Sequence, residues 1–106
     1  MGFPNVKTKP STGNVIERSG STAFSALVAS GLQTVMPANE SRTYLVFQNA
    51  SDTLMRINFG AAATEANGIQ VPPGGSVTFN SSWVPSQAVF LRCSSDAKPF
   101  VAKEGI

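Results

Sequence analysis

The six acids, Glu17, Glu40, Asp52, Glu65, Asp96 and Glu104, are the first candidates for chemistry, because acid–base catalysis and cation binding both draw on carboxylates. Their spacing argues against either use. None lies within a few residues of another, so the sequence supplies no carboxylate dyad and no alternating oxygen ligands of a calcium loop. The Ala-rich stretch 60–68 offers at most Glu65 and Asn67. Zinc is expected to be absent, since the chain has no histidine and a single cysteine. Cys93 lacks a histidine base, and its setting in AVFLRCSS reads as a small buried hydrophobe. Gly74-Gly75 follows two prolines and enters a strand, so it is a turn and not a phosphate loop. Serines are abundant, but nothing selects one as a nucleophile. The expectation is a protein without catalytic residues, metal or cofactor.

Binding is the remaining work for side chains. Trp83 stands alone as the chain's only tryptophan. It is the best single candidate for a partner contact, because an aromatic with a polar handle suits a surface that a partner half buries. Its plain alternative is a plug at one open end of a β-core. Arg42, Arg56 and Arg92 fall on outward strand positions, from which they would pair across strands or touch a neighbouring chain. The eight basic residues are scattered and the net charge is only +2, which does not fit a nucleic-acid binder. Lys7 and Lys9 make the only small cluster and could lie against an acidic partner. No membrane contact is expected: the segment 23–32 is too short to span a bilayer, the first residues lack an apolar signal region, and Val6 occupies the place where a myristoylation motif needs Ser or Thr.

The elements that would position these residues read as all-β. Only 13% of the chain is charged, against about 25% in an average protein, and Ser, Thr, Asn, Gly and Ala fill the difference. Residues 1–20 are polar, carry two prolines and three glycines, and follow no period, so they read as an extended arm. Phe3, Pro4 and Val6, then Val15 and Ile16, would anchor that arm if it docks. Residues 21–106 form one domain. Ala23–Val28 reads as a strand, with a short helix capped by Thr22 and ended by Gly31 as the alternative. LQTVM is a strand with Leu32, Thr34 and Met36 on one face. The run Tyr44–Phe47 suits a central strand covered on both faces. Asn49–Asp52 reads as a hairpin turn, and residues 54–59 as the returning strand. Ile69–Val71 is a short strand, Pro72-Pro73-Gly74-Gly75 a tight turn, and Val77 and Phe79 face inward from the strand after it. Strands over 89–94 and 100–103 complete the chain. Asn39, Asn49 and Asn80 each head an Asn-x-Ser sequon, but turn chemistry accounts for them better. Seven or eight short strands at regular spacing, every chain-adjacent pair able to run antiparallel, predict a single β-sandwich or a jelly-roll-like barrel.

The central pattern, Arg42-x-Tyr44-Leu45-x-x-Gln48-Asn49-x-Ser51, then Ile57-Asn58-Phe59-Gly60, Gly68-Ile69 and Pro73-Gly74-Gly75, resembles a β-module of small structural proteins in the virions of tailed bacteriophages. It covers about forty residues of turn and core and leaves out the arm. The resemblance implies a non-enzymatic virion protein, foremost a capsid cement or decoration protein at capsid subunit junctions. Its partners would be the major capsid protein, other virion proteins and further copies of itself, a trimer in the first instance. It would be assembled in the bacterial host cytoplasm. Contact would run through the arm residues Phe3, Pro4, Val6, Lys7 and Lys9, through Trp83, and through one sandwich edge. A receptor- or carbohydrate-binding module of a tail fibre or baseplate, and a head–tail connector component, are the alternatives.

Overall fold

The computed structural model describes residues 13–22, 32–63, 67–80 and 83–106. Nine strands lie within them: β1 (Val15–Glu17), β2 (Gly20–Ser21), β3 (Leu32–Met36), β4 (Tyr44–Asn49), β5 (Met55–Phe59), β6 (Ile69–Val71), β7 (Ser76–Asn80), β8 (Val89–Cys93) and β9 (Pro99–Gly105). They form two antiparallel sheets. One runs β1-β9-β4-β7, with β2 also on β9, and the other runs β3-β8-β5-β6. The expected segment 23–28 and residues 1–12 of the expected arm fall outside the described residues.

The pairing is nested. With β1 and β2 taken as one interrupted strand, the first strand pairs with the last, β3 with β8, β4 with β7 and β5 with β6. This is a two-stranded ribbon folded over on itself, and the contacts β4–β9 and β5–β8 close it into two sheets. That topology is a jelly roll, the narrower of the sandwich expectations. Every ladder is antiparallel, and among chain-adjacent strands of the described residues only β5 and β6 share one. Most connections instead carry the chain from one sheet to the other.

Alternation builds the core. Leu45, Phe47 and Asn49 point inward from β4, Met55 and Ile57 from β5, and Val89, Leu91 and Cys93 from β8. Each fully buried Val, Leu, Ile, Phe or Met side chain among them contributes about 1.5–3 kcal/mol of apolar transfer. Phe47 stacks on Phe100 of the neighbouring β9, with ring centroids 5.5 Å apart. The Tyr44–Phe47 run is therefore not covered on both faces. Tyr44 and Val46 stay half-buried on the outside, although β4 is central in its sheet. In β3 the expected face is also corrected. The register shifts between Thr34 and Met36, and this bulge turns both Val35 and Met36 inward while Thr34 is exposed.

The Asn49–Asp52 turn is not a hairpin. β4 and β5 belong to different sheets, so the turn is a corner between them. Asn49 holds it with its side chain fully buried. Its Nδ2 donates to Thr53 O (2.7 Å) and to Val71 O (2.8 Å), and its Oδ1 accepts from Ser51 N (3.0 Å) and Ser51 Oγ (2.6 Å). The Pro72–Gly75 turn locks onto the same residue. Gly75 N donates to Pro72 O with Gly74 at φ 79°, the positive φ that a type II turn needs, and Gly74 N donates to Asn49 O.

The expected boundary at residue 20 falls within β2. β1 and β2 both add to β9, with Ile16 opposite Glu104 and Gly20 opposite Phe100. Residues 15–17 of the expected arm are thus part of the five-stranded sheet.

Candidate partner-docking site

Three ring side chains meet at one end of the sandwich. Phe59 closes β5, Phe79 lies near the end of β7, and Trp83 follows in the loop to β8. Phe59 and Phe79 pack edge-to-face at 5.4 Å, Phe79 and Trp83 at 5.5 Å, and Phe59 and Trp83 at 6.4 Å. These are favourable aromatic separations. The two phenylalanines are half-buried against the core, while Trp83 remains 60% exposed. Trp83 therefore does not plug the core as the plain alternative had it. It lies over the sheet ends with most of its surface open. Phe59 and Phe79 read in the sequence as core positions. The four-residue step from Phe79 to Trp83, and Phe59 ahead of Gly60, are the only sequence signs that they cluster.

The Trp83 loop is pinned from below by Arg42, and here the sequence expectation is overturned. Arg42 is not an outward strand residue. Its side chain is fully buried just ahead of β4, where the carboxylate of Glu104 from β9 receives it. Arg42 Nε donates to Glu104 Oε1 (2.7 Å), Nη1 to Pro85 O (2.6 Å) and Gln87 O (2.9 Å), and Nη2 to Pro37 O (2.8 Å). One guanidinium thus joins the last strand, the β3–β4 connection and the loop bearing Trp83. Glu104 also accepts from Arg18 Nε (2.9 Å) and Asn39 Nδ2 (3.2 Å). Ser86 O takes a further bond from Asn39 N, and Ala88 O one from Gly60 N.

Burial alone pushes the Glu104 carboxyl up. The hydrogen bonds from Arg42 and Arg18, the Arg42 charge and Asn39 outweigh it and hold the group below the usual carboxylate range. The folded pKa is thus depressed. Its stabilising contribution is complete above the unfolded value near 4.5 and disappears as the pH falls through the folded value. Stability in acid titrations should therefore decline below about pH 4.5, and Glu104→Gln should begin from a lower plateau with a shallower acid limb. Some slope should survive, because Ser19 lowers the Glu17 carboxyl and Lys98 lowers that of Asp52.

Beside the aromatic cluster runs the edge strand β7. Among the described residues it pairs with β4 alone, so its other side presents unpaired backbone groups. The other edges are blunted. β3 carries the bulge, β6 has three residues, and β1 and β2 are two short pieces. β7 has five residues, Ser76 to Asn80, with no lysine, proline or glycine to deter pairing. Its inward Val77 and Phe79 are only half-buried. Edge and aromatic cluster share Phe79 and form one continuous surface.

The expected contact residues Phe3, Pro4, Val6, Lys7 and Lys9 lie outside the described residues. Arg56 and Arg92 sit on the outer face of the four-stranded sheet, away from the aromatic end. Cys93 is buried in the core. Asn39 and Asn49 each accept from the backbone N–H two residues on, the turn bond expected of them. Among the described residues no group of three His, Cys, Asp or Glu side chains could hold a metal ion, and no helix is long and apolar enough to cross a membrane. No family model, curated protein or solved structure matches the chain.

Proposed function

We propose that this protein is a non-enzymatic virion structural protein of a tailed bacteriophage, a capsid cement or decoration protein at capsid subunit junctions. It binds by adding β7 to a strand of its partner, with Trp83 as the side-chain anchor and residues 1–12 as a further tether. The observation that carries the reading is the undefended β7 edge beside an exposed tryptophan. An open edge offers main-chain hydrogen bonds, and a neighbouring aromatic supplies affinity and register. Jelly rolls recur in viral capsid proteins, which supports the reading by analogy of fold. The sequence resemblance of residues 42–75 adds the phage assignment.

The test is co-sedimentation with purified capsid shells from the same source. Trp83→Ala is expected to weaken saturable binding roughly thirtyfold, the effect of losing a hot spot of about 2 kcal/mol. Because Trp83 is 60% exposed, the fold should lose only its two ring contacts, about 1–3 kcal/mol, and remain folded. Unaltered binding by the variant would remove Trp83 from the interface.

The exposed Trp83 also favours a second reading, a receptor- or carbohydrate-binding module, since jelly rolls also serve as lectin domains. In that case glycans, and not shells, would quench Trp83 fluorescence.

A further inference from the structure

A second surface lies on the outer face of the four-stranded sheet. The register places Arg56 of β5 directly opposite Arg92 of β8. Both side chains alternate with buried core residues and so point away from the sandwich interior. Two cations facing each other across strands repel and cost stability. Elsewhere the described cations have carboxylate partners: Arg18 and Arg42 on Glu104, Lys98 on Asp52, and Lys103 on Glu17. Among the described residues Arg56 and Arg92 have none. Arg56 Nε is in addition buried without a hydrogen-bond partner, so an incoming acceptor meets this guanidinium at its Nη groups. The same face carries Gln70 beside Arg56 and Asn58 beside Phe90 in the next row.

From this arrangement we infer that the Arg56–Arg92 face is a docking surface for an acidic segment of a partner protein, one carboxylate of which bridges the two guanidinium groups. A planar carboxylate matches the guanidinium fork and turns a repulsive pair into two charge-assisted bonds. The occupant is a polypeptide because the two arginines share their face with Gln70, Asn58 and Phe90, which only an extended partner would contact together with them. A free anion would gain no enclosure there, whereas a partner surface covers Phe90 and meets the amides of Asn58 and Gln70. A nucleic-acid backbone would need a row of free cations, and the other described ones are engaged by the protein's own carboxylates. This inference stands apart from the virion reading and holds for any acidic partner.

The test is NMR titration of the full chain, following the arginine Nε–Hε resonances, with hexaglutamate, hexaglutamine, inorganic phosphate and a short single-stranded DNA. Hexaglutamate should shift the Arg56 and Arg92 signals saturably while hexaglutamine leaves them in place. Arg92→Gln should weaken hexaglutamate at least about tenfold, the loss of one charge-assisted bond. Arg92→Lys, which keeps the charge and the fold but loses the fork, should fall between the two. Equal shifts with both peptides, stronger binding of phosphate or DNA, or an unchanged affinity in Arg92→Gln would each overturn the inference.

Discussion

Glu104→Gln should lower the stability of the folded chain by about 3–5 kcal/mol, the penalty for stranding one member of a buried ion pair. For a domain of this size that is a fall of roughly 15–30 °C in midpoint. The side chains of Arg42 and Glu104 are both fully buried, so after the substitution the Arg42 charge has no solvent to turn to and only neutral acceptors, an amide and three carbonyls, before it. Arg42→Met should be about as severe by a different route. It leaves Glu104 its bonds from Arg18 and Asn39, but it orphans the carbonyls of Pro37, Pro85 and Gln87. The two variants separate in a second observable. Arg42→Met releases the loop carrying Trp83, so its indole emission should shift under native conditions more than in Glu104→Gln. Urea unfolding followed by circular dichroism and by Trp83 fluorescence reads both effects. A loss below about 1 kcal/mol in Glu104→Gln would show that the pair does not hold this end of the sandwich.

Asn49→Ala should cost about 3 kcal/mol, the largest effect expected of a polar substitution outside the Arg42–Glu104 pair. The amide donates to carbonyls at both sides of the corner, Thr53 ahead of β5 and Val71 at the end of β6. Alanine leaves the buried Val71 carbonyl unpaired and removes the acceptor that shapes Ser51. Asn49→Asp keeps the acceptor but sets a carboxylate against two carbonyl oxygens. It should be as damaging at pH 7 and milder near pH 4, where a protonated carboxyl can donate one bond. Urea midpoints at the two pH values measure this. A midpoint for Asn49→Ala within about 1 kcal/mol of the parent would contradict the role of Asn49 as the corner's clamp.

These residues also show what the sequence could and could not reveal. The Pro72–Gly75 turn was legible because its chemistry is local: proline presets one corner and glycine takes the positive φ of the other. Alternation placed most strands within a residue or two, since one buried face imposes a period of two. Asn49 was legible as a turn residue, yet its side-chain bonding suits a hairpin and an inter-sheet corner equally. Only the pairing of β4 with β9 and β7 decides between them. Arg42 looked like a surface residue because the carboxylate that buries it stands 62 positions later. The bulge that turns both Val35 and Met36 inward likewise depends on β8, not on β3. At the docking surface, Trp83 stood out by rarity. The β7 edge did not, because being an edge is a property of the sheet and not of the residues in the strand.

The proposed binding mode requires β7 to take up a partner strand. The measurement that tests it most directly is amide hydrogen exchange of the chain, free and bound to capsid shells. Binding should slow exchange of the β7 amides within 76–80 and leave the opposite edge of the same sheet, β1, unchanged, and Thr78→Lys, a charge on the open edge, should abolish both binding and protection. Shells that bind the chain while β7 exchanges at its free rate, or that bind Thr78→Lys as tightly as the parent, would contradict it.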